Sequence, residues 1–201
     1  IYFLRLKSKL DKFNFSHVFD LQNHTRTAIY QKVFCKKSIW SSFKIALKGN
    51  LEVKEFNKLG ALEKFDIQLK NSGVVTKYTM RPNLFWMIDS LFEPDILISK
   101  RYITILPFCS KHLSHKKWPF YGDLIKLLRN KYKNVQIVTV PGPDEITDAF
   151  KLDADVILNG KQATNFFQLS KILSNSLYVV ANDTGPAHIA AHLGCSGLAL
   201  F

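Results

Sequence analysis

The feature that most constrains the fold is a strict alternation of short apolar runs and amphipathic segments from residue 101 onward. We predict strands at Tyr102–Leu106, Val135–Val140, Asp155–Leu158, Leu177–Ala181 and Leu198–Phe201. Helices are predicted at Pro119–Tyr132, which its proline would open, and at Asp144–Lys151, Ala163–Leu173 and Pro186–Leu193. Such alternation is typical of an α/β, doubly wound parallel sheet, in which ligands bind at the carboxyl ends of the strands.

The first half of the chain carries a weaker pattern of the same kind. It predicts a helix over 1–13, a short buried strand at Phe15–Leu21, a helix at Arg26–Phe34, a strand with a loop at Lys37–Leu47, and helical residues Leu51–Leu69 with a weak point at Gly60. Because Glu93-Pro94 breaks any helix, we interpret Ser90–Lys100 as an interdomain linker. We therefore expect two domains, one at 1–95 that includes the start of the linker and one at 96–201.

Composition excludes several classes of protein. With 47% hydrophobic residues the chain is not disordered, and its apolar runs are shorter than the roughly 18–20 residues that span a bilayer. Three cysteines without a CxxC pair argue against a disulfide scaffold or a zinc cluster, and we expect them to be buried. The net charge of +12 arises from 17 basic and 9 acidic residues in 1–100 and 11 and 7 in 101–201. It should attract nucleic acid, anionic lipid or a phosphorylated substrate.

The strongest candidate site is the run Asp183–Pro186, which joins an apolar strand to a helix of small residues. The N–H groups and the dipole at the start of that helix favour a phosphate, and Gly185 lets the phosphate approach the backbone. His188 lies one turn on from Thr184, where it can add a donor. The alternative is that Asp183 or Thr184 only caps the helix and that His188 is a surface residue.

Two further loops should face the same crevice. The loop after the first strand of the second half is polar and basic, and Ser110, Lys116 and Lys117 are candidate phosphate ligands in it. The turn after the next strand carries Glu145, whose carboxylate can accept bonds from ribose hydroxyls. Taken alone, each lysine would be a solvated surface residue, and Glu145 a first-turn residue favoured by the helix dipole.

Metal ligation is disfavoured at both places where the sequence offers a pair of ligands. His188 and His192 have the spacing of a zincin helix, but Ile189 stands where those enzymes carry a glutamate base. Asp153 and Asp155 lead into a strand at the end of the predicted sheet that is away from the crevice. We therefore predict no metal and no cofactor.

In this order and spacing the motifs resemble glycosyltransferase family nine, the ADP-heptose:lipopolysaccharide heptosyltransferases. The resemblance rests on Lys116–Pro119, Gly142–Glu145 and Asp183–Gly194, and more weakly on Val18–Gln22 and Arg26–Ala28. It implies an inverting, metal-independent enzyme of GT-B fold with two Rossmann-like domains. Residues 1–95 would be a partial, acceptor-binding N-terminal domain with linker, and residues 96–201 an ADP-sugar-binding C-terminal domain. The donor-binding residues are then expected to be Ser110, Lys116, Glu145, Asp183, Thr184, Gly185 and His188.

The resemblance also implies partners and a location. The donor would be ADP-heptose, and the acceptor a lipid-anchored anionic saccharide of the lipopolysaccharide inner core. The enzyme would be cytoplasmic and peripheral at the inner membrane of a Gram-negative bacterium, without a nucleic-acid partner. Two alternatives remain: a GT-B transferase of another nucleotide-sugar, and a nucleic-acid-binding protein, suggested by the aromatic residues among lysines in Trp40–Lys48.

One departure from the family pattern concerns the catalytic base. In the family an aspartate of a G-D-x-x-x-T-x-P stretch after the first strand has this role, and the sequence contains no such stretch. Asp11 and Asp20 occupy other positions, so we leave the base unassigned. We expect the sequence to be a fragment without the opening strand, the catalytic loop and the C-terminal tail, and to be inactive alone.

Overall fold

The structure is a computed structural model that describes residues 2–43, 53–75, 77, 79 and 81–201. The chain divides into two compact units, an N-terminal unit of residues 1–80 and a C-terminal unit of residues 81–201. Residues 81–100, which include the segment interpreted as a linker, belong to the C-terminal unit. The predicted functional boundary between residues 95 and 96 stays a prediction.

The N-terminal unit contains two parallel strands and four described helices. Its elements are α1 (Tyr2–Asp11), β1 (His17–Phe19), α2 (Thr25–Val33), β2 (Ile39–Ser41), α3 (Val53–Lys58) and α4 (Ala61–Lys70). The weak point predicted at Gly60 is the residue that caps the start of α4. The parts of the predicted elements at residues 44–47 and 51–52 lie outside the described residues.

The predicted burial of the first strand is wrong. Phe15 and Phe19 are 41% and 38% exposed. Within the described residues β1 pairs with β2 alone, and this pairing does not bury its side chains, which project from the faces of the sheet. The most buried polar residue described in this unit is Gln68 of α4, whose Nε2 donates to the carbonyl oxygens of Asp20 and Ser41 at 3.0 Å each. These bonds fix the ends of both strands to α4.

The C-terminal unit contains a five-stranded parallel sheet. Its elements are β3 (Tyr102–Leu106), α5 (Tyr121–Lys131), β4 (Gln136–Thr139), α6 (Ile146–Ala149), β5 (Asp155–Val156), α7 (Phe166–Ser174), β6 (Tyr178–Asn182), α8 (Gly185–His192) and β7 (Gly197–Leu200), with 3₁₀ turns at Phe85–Met87 and Lys111–Lys116. The strand order is β5-β4-β3-β6-β7, and every neighbouring pair is parallel. The predicted doubly wound sheet is confirmed.

Helices cover both faces of this sheet. Ile105 of β3 and Val180 of β6 belong to the apolar cluster that includes α5. Their neighbours Leu106 and Ala181 point to the opposite face and belong to the cluster that includes α7 and α8. Because helices cover both faces of β3 and β6, the ends of these central strands are where a ligand can reach them.

The prediction that Pro119 opens a helix is wrong. Helix α5 begins at Tyr121 and Phe120 is its cap, with φ −97° and ψ 21°, so Pro119 lies outside the helix instead of opening it. The N–H of the preceding residue, Trp118, is bonded to a side chain on β6. The expected burial of the cysteines is also wrong, because Cys35, Cys109 and Cys195 are only partly buried.

Candidate functional site

A cavity of about 540 Å³ lies at the carboxyl edge of the sheet in the C-terminal unit. We call it the edge cavity. It is lined by Ser110 and Leu113 after β3, Gly142 and Glu145 after β4, Thr164–Phe166 at the start of α7, and Asp183–Pro186 after β6. Strands β3 and β6 are neighbours from which the chain winds in opposite directions, and such switch points are where doubly wound sheets bind ligands. The volume is within the range of roughly 300–1,000 Å³ found for ligand sites.

An ion pair joins two walls of the edge cavity. The Lys116 ammonium donates to Oδ2 of Asp183 at 2.6 Å, and Nε2 of His188 lies 3.6 Å from the other carboxylate oxygen. The hydrogen bond and charge of Lys116, with a smaller contribution from His188, hold the pKa of the Asp183 carboxyl below its usual value. The carboxylate is therefore ionised at neutral pH, with two basic side chains beside it.

The start of α8 lies at the same place. Thr184 is the residue that caps this helix, with φ −144° and ψ 169°, but its hydroxyl donates to the carbonyl of Asn182 at 3.3 Å instead of capping the helix N–H groups. The alternative that Thr184 caps the helix holds for its position in the chain, while its hydroxyl makes no capping bond. The positive end of the helix dipole favours an anion beside Gly185 and Pro186.

Glu145 is held by the turn that precedes it. Its Oε2 accepts the N–H of Gly142 at 2.7 Å, and a Cβ atom at Gly142 would lie only 3.0 Å from that oxygen. The glycine thus allows the carboxylate to close onto the backbone. An ionised carboxylate has acceptor sites on both oxygens, so Oε1 can still accept a hydrogen bond from a ligand hydroxyl.

The structure brings the predicted donor-binding residues to one edge of the sheet. Residues Ser110, Glu145, Asp183, Thr184 and Gly185 line the edge cavity. Lys116 joins them through Asp183, and His188 lies beside Asp183 with its side chain 68% exposed. Lys117 instead lies over the ring of Phe108, 5.5 Å from its centre. That any of these residues binds a donor stays a prediction.

Sequence reasoning missed two groups of residues at this edge. Thr164–Phe166 line the edge cavity, but they lie at the start of a predicted helix without a recognisable motif. Asn182 is fully buried, and its side chain bonds to the loop that follows β3. Its position offered a signal, because a polar residue that ends an apolar strand in the middle of a sheet must find hydrogen-bond partners.

One of the two pairs of possible metal ligands lies against an arginine. Asp153 and Asp155 face Arg129, at 3.5 and 3.4 Å. In the part of the chain that the structure describes, no group of three or more His, Cys, Asp or Glu side chains is placed to hold a metal ion. Nor does any helix of that part have the length and apolarity needed to cross a membrane.

Comparison with known proteins gives one family. Residues 44–201 match the sequence profile of glycosyltransferase family 9 (heptosyltransferase). The fold is similar to that of the E. coli heptosyltransferase WaaC with ADP-2-deoxy-2-fluoro heptose, with a TM-score of 0.65 and 18% identity over 98% of this chain and 65% of that chain. It is also similar to that of E. coli heptosyltransferase WaaC with ADP, with a TM-score of 0.58 and 17% identity over 92% of this chain and 61% of that chain. A search of curated protein sequences gives no significant match.

The chain thus spans 65% and 61% of the length of the two WaaC structures. At these identities the likeness shows the fold alone. It confirms the predicted class, α/β of GT-B type with parallel sheets.

Proposed function

Because the chain belongs to glycosyltransferase family 9, the heptosyltransferase family, we propose that its edge cavity binds the diphosphate of a nucleotide-sugar from which a glycosyl group is transferred. The observation that carries the proposal is the Lys116–Asp183 pair beside the start of α8. This arrangement places a cation and a helix dipole at the rim of a cavity large enough for a nucleotide. The WaaC structures are described with ADP and an ADP-sugar analogue, so ADP-heptose is the donor we propose.

In the proposed reaction an acceptor hydroxyl attacks the anomeric carbon, and the bond between that carbon and the diphosphate oxygen breaks with inversion. Negative charge then grows on the leaving diphosphate. Lys116 and the start of α8 stabilise that charge, which is the contribution a metal ion makes in other transferases. Lys116 has three N–H donors, so it can bond to a phosphate oxygen while it remains bonded to Asp183. Glu145 accepts a hydrogen bond from a ribose hydroxyl. The catalytic base that removes the proton of the acceptor hydroxyl is left unassigned.

Calorimetric titration with ADP in the presence of EDTA tests this proposal. We expect one ADP to bind per chain, and Lys116→Met to weaken binding by up to about 3 kcal/mol, the upper value for a hydrogen bond to a charged group. Lys171→Met is the matched control, because Lys171 bonds the carbonyls of Ser90 and Phe92 away from the edge cavity. It should leave the affinity unchanged. Loss of binding on chelation, or equal losses in both variants, would refute the proposal.

A parallel titration with UDP tests the alternative donor. In this proposal the Lys116–Asp183 pair recognises the diphosphate and not the nucleobase. Discrimination between ADP and UDP must therefore come from the rest of the edge cavity. Tighter binding of UDP than of ADP would favour a GT-B transferase of another nucleotide-sugar.

We propose further that the N-terminal unit meets a lipid-anchored anionic acceptor of the lipopolysaccharide inner core, at the cytoplasmic surface of the inner membrane. The support is its charge, with 15 basic and 6 acidic residues in residues 1–80. Sedimentation with anionic vesicles should fall as salt rises, because charge attraction is screened within about 10 Å at 0.1 M salt. Equal sedimentation with neutral vesicles would refute the electrostatic argument, and tighter retention by oligonucleotides would favour nucleic-acid binding.

A further inference from the structure

Asn182, the last residue of β6, has a fully buried side chain with three hydrogen bonds. Its Nδ2 donates to the carbonyl of Pro107 at 2.9 Å. Its Oδ1 accepts the backbone N–H of Trp118 and the hydroxyl of Tyr121, each at 3.1 Å. Burial raises the pKa of the Tyr121 hydroxyl, which keeps it protonated as a donor.

These partners require an amide. The carbonyl of Pro107 can only accept and the N–H of Trp118 can only donate, so the two ends of the Asn182 amide have a single possible orientation. An ionised aspartate would face the carbonyl with an acceptor, and an aliphatic side chain would leave all three partners unbonded in a buried place. Leaving such groups unsatisfied is costly.

Two of the three bonds fall on the two ends of one loop, and the third on Tyr121 at the start of α5. Pro107 and Trp118 begin and end the segment that carries Ser110 and Lys116, so a single side chain closes the base of that segment. The next residue after Asn182 is Asp183, the partner of Lys116. Asn182 is therefore hydrogen-bonded to the loop that carries Lys116 and covalently bonded to Asp183, and so it connects the two members of the ion pair.

We propose that Asn182 is a positioning residue, which fixes the Lys116 ammonium at the rim of the edge cavity before a ligand arrives. This inference rests on the proposed function, since it assigns the diphosphate as the group that Lys116 meets. A loop that is already held in its binding conformation loses little conformational entropy when the ligand binds. The binding free energy is then more favourable than it would be for a disordered loop.

The first test needs no ligand. Hydrogen exchange of the chain is compared between wild type and Asn182→Asp, in which an acceptor replaces the Nδ2 donor at unchanged size. We expect faster exchange in residues 108–118, with β4 and α7 unchanged. Unchanged exchange in this loop would overturn the proposal, because Asn182 would then be dispensable for the loop. Faster exchange throughout the C-terminal unit would also overturn it, because Asn182 would then be merely structural.

A milder pair of variants covers the case in which Asn182→Asp does not fold. Tyr121→Phe removes one of the three bonds, and Tyr102→Phe removes a similarly buried hydroxyl that donates to Ile172 at the other end of the sheet. Only Tyr121→Phe should speed exchange at Trp118. The same response in both variants would contradict the proposal.

The second test asks whether Asn182 acts through Lys116. We expect Asn182→Asp to weaken ADP binding about tenfold in the wild-type chain, as for an unsatisfied buried group. In the Lys116→Met background the same change should cost less than about twofold, because coupled residues are not additive. A full tenfold loss in both backgrounds overturns the inference. If the wild-type chain binds no ADP, the proposed function fails, while the exchange test still decides whether Asn182 holds the loop.

Discussion

The two ends of the sheet in the C-terminal unit are built from the same strands but treat their polar groups differently. At the amino end, the Tyr102 hydroxyl donates to the carbonyl of Ile172 at 2.6 Å, and the N–H and hydroxyl of Thr104 bond to the Ser176 hydroxyl. At the carboxyl end, the Lys116–Asp183 pair lies beside an open cavity, with 34% and 23% of the two side chains exposed.

This difference between the two ends indicates that polar groups at the amino end stabilise the fold and those at the carboxyl end are free to bind a ligand. The hydroxyls at the amino end have found partners inside the protein and have little capacity left for a ligand. The charged groups at the carboxyl end stay partly exposed and retain unused donors and acceptors. Substitutions at the amino end should therefore change folding alone, and substitutions at the carboxyl end should change ligand binding.

Two glycines give the largest expected contrast. A Cβ atom at Gly197 in β7 would lie 2.6 Å from the carbonyl oxygen of Val179, whereas one at Gly185 would meet nothing within 4 Å. Gly197→Ala should lower the free energy of unfolding by about 2–3 kcal/mol through overpacking, with no selective effect on ADP binding. Gly185→Ala should keep stability and weaken ADP binding, because a phosphate would approach the backbone there.

Urea unfolding and calorimetry of the two glycine variants measure both quantities. Loss of stability at Gly185 with no loss of affinity would show that the glycine serves the fold. Unchanged stability at Gly197 would mean that β7 can shift away from β6.

Two histidines on α8 give a smaller contrast within one helix. His188 lies 3.6 Å from the Asp183 carboxylate, whereas His192 is the last residue of α8. If His188 donates to the diphosphate, His188→Ala should weaken ADP binding by about 1.5 kcal/mol, the lower value for a bond to a charged group because this side chain is exposed. His192→Ala should have little effect, since it lies beyond the first turn, where the dipole acts.

Thermal unfolding of both histidine variants supplies the control. Equal losses of affinity, or a drop in melting temperature that accompanies the loss at His188, would identify the histidine as structural.

The smallest expected effect is the pH dependence of the Asp183 interaction. Lys116 lowers the pKa of Asp183 in the folded chain. The contribution of Asp183 to the free energy of unfolding is therefore fully present above its pKa in the unfolded chain, about 3.9, and is lost as the pH falls through its lower pKa in the folded chain. The difference in unfolding free energy between wild type and Asp183→Asn should therefore shrink between pH 5 and the most acidic pH at which the chain folds. A pH-independent difference would show that Lys116 does not stabilise the carboxylate.

Sequence reasoning found the framework of this unit because its signals are local. Buried strands such as Tyr102–Leu106 are short apolar runs between turns, and the order of strands and helices places the loops at one edge. The Lys116–Asp183 bond joins residues 67 apart and the Trp118–Asn182 bond residues 64 apart. Such pairings depend on the packed sheet and leave no periodic trace in the sequence.

The exposure of the N-terminal strand was mispredicted for a related reason. The aromatic residues Phe15 and Phe19 favour a strand, and β1 forms there. Whether a strand is buried depends on what packs against it, and a single chain segment does not contain that information.

The most direct test of the central claim is hydrogen exchange of the chain with and without ADP. We predict slower exchange at the carboxyl edge, in residues 108–118, 142–146 and 183–188, and no change at the amino edge, in residues 101–104 and 176–178. Protection confined to the amino edge, or no protection at an ADP concentration that saturates calorimetric binding, would contradict it.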